Sequence, residues 1–306
     1  MSVKRTLYLA GGCFWGVARF FSGVDGVSSV VAGYANGNGE NPSYEEVYTD
    51  RTGFAETVQL TYDPERVSLP LLLQLYFALI DPTAVNRQGP DVGTRYRSGI
   101  WWSDEASARE AAPVLSEMQA RYGAALAVEW GPLRNFYPAE EYHQDYLEKN
   151  PGGYCHVSLR AFRYQRLIDA ARLQLEGESD PVARMATLSS LIHREMGFFW
   201  VGFYRVEGDS LVVGPYQGDP ACLRIARGRG VCGSAWAQDR TLVVPDVEAF
   251  PGHIACSSKS RSEIVVPVHD VSGAVCAVLD IDSTEKGAFT EEDARFLELL
   301  LSLFIW

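Results

Sequence analysis

The chain has 306 residues, enough for about two domains at the usual 100–200 residues each, and 47% of them are hydrophobic, as in an ordinary globular protein. Lys and Arg number 27 against 39 Asp and Glu, a net charge of −12 shared about evenly between the halves. No basic face is left for phosphates, which excludes nucleic-acid and anionic-membrane partners from the expectation. No stretch reaches the roughly 18 apolar residues of a membrane span.

The first element is a short apolar strand, Thr6 to Ala10, behind Lys4-Arg5. It is shorter than the roughly 7–15 apolar residues of a secretory leader. A cytoplasmic protein with reduced thiols is therefore expected. Gly11-Gly12 then permits a tight turn into Cys13 and an apolar helix, Phe14-Trp15-Gly16-Val17-Ala18-Arg19-Phe20-Phe21. At such a helix start the peptide N–H groups favour a thiolate, so Cys13 reads as a nucleophile or as a small buried hydrophobe. Gly33 to Tyr48 reads as a loop with Asn41-Pro42-Ser43-Tyr44 at a turn, and Glu56 stands at the entrance of the alternating strand Thr57 to Tyr62. Leu69 to Ile80 is a strongly apolar helix. A loop from Asn86 to Arg97 carries Asp91 and Tyr96 into the strand Gly99 to Trp102. A helix from Asp104 to Tyr122, a strand Ala127 to Trp130, and a loop with a short helix from Tyr137 to Tyr154 complete the half, ending at Gly152-Gly153-Tyr154-Cys155.

The pattern changes near Arg163. Two amphipathic helices, Gln165–Gln174 and Pro181–Met196, precede a hairpin, Phe199 to Tyr204 and Ser210 to Val213, turning at Glu207-Gly208-Asp209. Strands follow at Leu242–Val244, Glu263–Val268 and Ala274–Ile281, and Thr290-Glu291-Glu292-Asp293 is a capping box opening a helix through Leu303. The expected class is α+β in two domains, 1–162 and 163–306. The apolar ending Leu299 to Trp306 reads as a buried or dimer-covered helix, which allows a homodimer through the second half.

Six cysteines stand at 13, 155, 222, 232, 256 and 276 with no C-x-x-C pair, and the five histidines lack metal-helix spacing, so no metal site is expected. Cys276, in Ala-Val-Cys-Ala-Val, reads as core filling. Glu263, Asp280 and Asp282 are carboxylates in otherwise apolar strands, the last two on one face by alternation. Buried there, they are costly unless they hold a cation, a proton or a donor-rich ligand. Gly228 to Gly233 lacks the Lys-Ser/Thr of a phosphate loop.

Residues 5–160 resemble the A-type peptide methionine sulfoxide reductases through Gly12-Cys13-Phe14-Trp15-Gly16, Asn41 to Tyr44, Ala55-Glu56, Asp91-Val92-Gly93-Thr94-Arg95-Tyr96-Arg97-Ser98 and Glu140-Glu141-Tyr142-His143-Gln144. Phe54 replaces the family's usual histidine and Pro90 its usual asparagine. The resemblance implies a mixed-sheet sandwich in which Cys13 attacks the sulfoxide sulfur of the S epimer, free or in oxidised proteins. Glu56 would supply a proton, and Tyr44, Tyr96 and Asp91 would serve the same centre. Phe14 and Trp15 would enclose the methyl group. Cys155 would resolve the sulfenic acid as a disulfide, and an external dithiol, thioredoxin, would reset it, with no bound cofactor.

Residues 165–300 resemble the GAF-fold free methionine-R-sulfoxide reductases through Trp200-Val201-Gly202-Phe203-Tyr204, Gly228 to Gly233, Gly252-His253-Ile254-Ala255-Cys256, Ser260-Arg261-Ser262-Glu263-Ile264-Val265 and Leu279-Asp280-Ile281-Asp282-Ser283. That implies an antiparallel sheet flanked by helices, Cys256 as nucleophile, and either Cys222 or Cys232 as resolver. Trp200 and Tyr204 would shape the pocket, and Glu263, Asp280 and Asp282 would hold the substrate ammonium. Together the resemblances imply a bifunctional oxidoreductase repairing oxidative damage. The alternative is a single reductase carrying a GAF ligand-sensing module.

Overall fold

In the computed structural model, which describes residues 3–254, 256–304 and 306, the chain divides into two units, Met1–Gln165 and Arg166–Trp306. Ala255 of the Gly252–Cys256 loop and Ile305 of the apolar ending lie outside the described residues. Among the described residues no helix is long and apolar enough to cross a membrane.

The first unit runs β1 (Arg5–Ala10), α1 (Phe14–Ser22), β2 (Val27–Ala35), α2 (Tyr44–Tyr48), β3 (Ala55–Tyr62), α3 (Leu69–Leu79), β4 (Arg87–Gln88), β5 (Asp91–Val92), β6 (Gly99–Trp102), α4 (Glu105–Tyr122), β7 (Glu129–Pro132), β8 (Phe136–Pro138) and α5 (Tyr146–Lys149). Its six-stranded sheet has the order β7-β6-β1-β3-β2-β8. Only β6 and β7 pair in parallel, which makes it a mixed sheet. Helix α1 buries Phe14, Val17, Phe20 and Phe21, and α3, started by Ser68 with Pro70 in its first turn, is buried nearly all round.

The reading of 33–48 as one loop is corrected. Strand β2 reaches Ala35 and α2 covers Tyr44–Tyr48. Val27–Ala35 is half exposed at its start and buried on both faces at its end, so it shows no clean alternation.

Helix α6 (Leu159–Gln174) contains the division between the units, and α7 (Pro181–Met196) follows. The second unit continues with β9 (Trp200–Glu207), β10 (Ser210–Gln217), β11 (Arg224–Ala226), α8 (Gly230–Gln238), β12 (Leu242–Val244), β13 (Ser262–His269), β14 (Val275–Ser283) and α9 (Glu291–Ser302). The sheet order is β11-β10-β9-β14-β13-β12, antiparallel throughout. The capping box at Thr290 and Asp293 is formed. Leu299, Leu300 and Leu301 are buried within the unit, where Trp306 also meets Phe203. Cys276 is half-buried and its thiol donates to the Val268 carbonyl, so it is less enclosed than a core filler.

Helix α8 replaces what reads as a glycine loop. Gly-Val-Cys-Gly has poor intrinsic helix propensity, and the helix stands because Val231, Cys232, Ala235 and Trp236 are buried in a cluster with Trp200, Tyr204, Val265 and Val278.

Candidate functional sites

In the first unit, Cys13 is the N-cap of α1. Gly12 before it has φ +81°, and a Cβ there would stand 2.7 Å from Gln88 Cβ and 2.8 Å from His156 Nε2. Only glycine meets both demands. The next residue, Phe14, donates its N–H to Glu56 Oε2 at 3.0 Å, which ties the start of α1 to the start of β3. Glu56 is 2% exposed, and burial pushes its pKa up to about 8 against the opposing pull of that N–H and of Arg95. Glu56 is thus chiefly a neutral acid at pH 7.

The helix start does not make Cys13 a resting thiolate. The N–H of Trp15 favours the anion, but burial and the nearby Glu56 push the thiol well above its ordinary value. Desolvation outweighs the helix dipole because Cys13 is only 6% exposed.

Tyr44 opens α2, whose N-terminus is fixed by a Ser43–Glu46 capping box. Glu140 accepts from the Tyr44 N–H at 2.8 Å and from the Tyr34 hydroxyl at 2.9 Å. Burial pushes the Tyr44 phenol up to about 12 and raises Tyr96 as well, so both remain hydroxyl donors. Arg95 lies between the Tyr48 and Tyr96 rings, its guanidinium 4.3 and 4.4 Å from their centroids, and pairs with Asp50. Trp15 stacks on Tyr146 at 3.7 Å and donates its indole N–H to His143 Nδ1 at 3.2 Å. An indole only donates, so His143 is a neutral ring protonated at Nε2, and burial lowers its pKa. The His143 ring lies 5.1 Å from Phe14 and 4.7 Å from Tyr44.

Half-buried Cys155 is held by its two neighbours. Tyr154 donates its hydroxyl to Asp91 at 2.7 Å, while His156 bonds the Gly11 carbonyl at 3.0 Å and turns Nδ1 toward Asp91 at 3.7 Å. Asp91 thus anchors Tyr154 and the Gly11 carbonyl anchors His156, so both residues that flank Cys155 are fixed beside the Cys13 loop. Glu140, His143, Arg95 and His156 were not singled out in the sequence. Glu140 and His143 lie in the Glu140–Gln144 motif, Arg95 lies in the Asp91–Ser98 motif, and His156 directly follows Cys155.

In the second unit a small pocket is lined by Trp200, Tyr204, Cys232, Cys256, Glu263, Asp280 and Asp282. Register puts Glu263 opposite Asp282, and Val265 opposite Asp280, so the three acids share one face of β13 and β14. Trp200 donates to the Asp219 carbonyl at 3.0 Å and Tyr204 to the Cys222 carbonyl at 3.1 Å, which fixes the two rings that line the pocket. Burial, and then their neighbouring acids, push Glu263 and Asp280 well up; burial takes Asp282 to about 6. Cys222 and Cys256 are joined in a disulfide, and Cys232 is a buried thiol donating to Glu263 Oε1 at 3.8 Å.

A family model for peptide methionine sulfoxide reductase matches residues 5–172, and one for the GAF domain matches residues 180–304. The chain is 50% identical to the peptide methionine sulfoxide reductase MsrA of Lachnoclostridium phytofermentans over 160 residues, 52% of this chain and 96% of that protein. It is 48% identical to the enzyme of the same name from Clostridium acetobutylicum, over 50% of this chain and 94% of that one. It is also similar to a solved free methionine-R-sulfoxide reductase from Neisseria meningitidis in complex with its substrate. There the identity is 46% and the TM-score 0.47, covering 48% of this chain and 89% of that one.

Proposed function

The chain belongs to the peptide methionine sulfoxide reductase family, and from that premise we propose that it is bifunctional. The first unit reduces the S epimer, free or peptide-bound, and the second reduces the free R epimer. One observation carries the reading: each unit sets at least one buried carboxyl with raised pKa beside a cysteine that has a second cysteine near it.

In the first unit the Cys13 sulfur attacks the sulfoxide sulfur while Glu56 gives its proton to the oxygen, and the Tyr44 and Tyr96 hydroxyls donate to the developing charge. Phe14 and Trp15 enclose the methyl group. Oxygen passes to Cys13, methionine leaves, and the thiol hydrogen is recovered on the sulfenic hydroxyl. Glu56 ends the step protonated again. The Cys155 thiol then displaces that hydroxyl as water, and the disulfide is reduced by an external dithiol, thioredoxin in the cytoplasmic setting proposed. Asp91 positions Cys155 through Tyr154.

In the second unit Cys256 is the nucleophile and Cys222 its resolver, a pairing supported by the Cys222–Cys256 bond. In a reducing compartment such a bond belongs to catalysis rather than to architecture. Glu263, Asp280 and Asp282 hold a free ammonium and deliver a proton to the sulfoxide. A peptide nitrogen carries no such charge, so peptide-bound substrate is refused.

Replacing Cys155 by Ser separates chemistry from recycling. In a Cys256→Ser background, with a peptide S-sulfoxide and thioredoxin, the Cys155→Ser chain releases about one methionine per chain and stops, with Cys13 trapped as a sulfenic acid. Sustained thioredoxin-dependent turnover removes Cys155 from the resolving role. The bifunctional reading is tested by chiral analysis of the sulfoxide left by the Cys13→Ser and Cys256→Ser chains.

A further inference from the structure

Cys232 lies in the first turn of α8, Glu263 near the start of β13 and Asp280 in β14. Their sulfur and carboxylate oxygens all lie within 4.8 Å of one another, and the side chains are 3, 6 and 6% exposed. Cys232 Sγ is 3.8 Å from Glu263 Oε1. Asp280 Oδ1, buried in the wall of the pocket, has no hydrogen-bond partner. Among the described residues lining this pocket there is neither lysine nor arginine to neutralise the cluster. A buried carboxyl oxygen without a partner is costly, and a bound cation supplies the partner directly.

We propose that Cys232 Sγ, Glu263 and Asp280 form a binding site for a thiophilic divalent cation, zinc by its chemistry, that closes the second-unit pocket reversibly. One sulfur and two oxygens match a tetrahedral zinc site with one open position. Magnesium and calcium require six or more oxygens, which this cluster does not offer. Around tetrahedral zinc, with bonds of about 2.3 Å to sulfur and 2.0–2.2 Å to oxygen, the donors stand roughly 3.3–3.6 Å apart. The Cys232–Glu263 separation is already near that, and rotation of the carboxyl groups brings in the third donor. The Cys232 thiol and the Glu263 and Asp280 carboxyls, which burial keeps protonated in the empty pocket, release their protons to solvent as the metal bonds form, with no change of oxidation state. A bound cation occupies the acids that would otherwise face an ammonium group, so metal and free amino acid exclude one another.

The test reads binding without turnover and is therefore independent of the reductase reading. Full-length Cys13→Ser/Cys155→Ser protein, with its Cys222–Cys256 disulfide left oxidised, keeps only Cys232 and Cys276 as thiols. Titrated with cobalt(II) under nitrogen, it should bind one metal per chain with a thiolate-to-cobalt charge-transfer band that zinc abolishes. The band should persist in Cys276→Ser and vanish in Cys232→Ser. Asp280→Asn, which keeps the side-chain volume, should weaken cobalt by more than about tenfold, the loss that even an outer partner of a metal ligand causes. Zinc should also raise the thermal midpoint of the parent but not of Cys232→Ser. A band that survives Cys232→Ser, no binding at millimolar cobalt, or unchanged affinity in Asp280→Asn overturns the site. Should Cys232→Ser fail to fold, Asp280→Asn decides.

Discussion

Supplied with excess dithiol, the intact chain should consume a racemic pool of free methionine sulfoxide essentially completely, whereas Cys13→Ser and Cys256→Ser should each stop at about half, leaving opposite epimers. The sulfoxide sulfur is a stereocentre, and each pocket presents its cysteine and its acid from fixed directions. Cys13 has Glu56 on β3, while Cys256 shares its pocket with Glu263 and Asp280 on β13 and β14. With a peptide-bound racemate the intact chain should itself stop at about half, because no free ammonium is present for the second unit's acids. Chiral chromatography of the remaining sulfoxide reads all of these cases. If Cys13→Ser consumes nothing while Cys256→Ser behaves as the intact chain does, the second unit is not a catalyst and the sensory alternative holds.

Glu56→Gln should lower the single-turnover rate on a peptide S-sulfoxide by about 10² or more, since an amide fits the site but gives no acid proton. Substrate affinity should change little. The pH profile separates this role from a packing defect. With its pKa at about 8, Glu56 is in its acid form below that value, so the wild-type rate should fall as pH rises through about 8. The Gln variant should lack that limb. Stability should follow the same sign. A carboxyl whose folded pKa is raised above its unfolded value favours the fold while protonated, and that contribution is lost as pH rises from about 4.5 to about 8. Glu56→Gln should flatten that dependence in thermal melts. An unchanged rate at neutral pH would return Glu56 to an ordinary strand residue.

The elements with local signals were legible in residue order alone. The Thr290–Asp293 capping box, the Gly208 hairpin turn, the Pro181 helix start and the apolar run of α3 each depend on contacts within a few residues, which order along the chain fixes directly. The cysteines, Glu56 and the three acids of the second unit were also legible, because a thiol between glycines and a carboxylate inside an apolar strand are locally anomalous. Tertiary structure alone decided what those residues experience. Phe14 meets Glu56 across 42 positions, Trp15 meets His143 across 128, and Cys232 meets Glu263 across 31. No local period encodes such meetings. Helix α8 likewise exists because a buried cluster overrides the poor propensity of its glycines. Charge state is decided at the same level: the helix start at Cys13 argues for a thiolate, yet burial keeps the proton on sulfur, because desolvation depends on every atom that excludes water from the site.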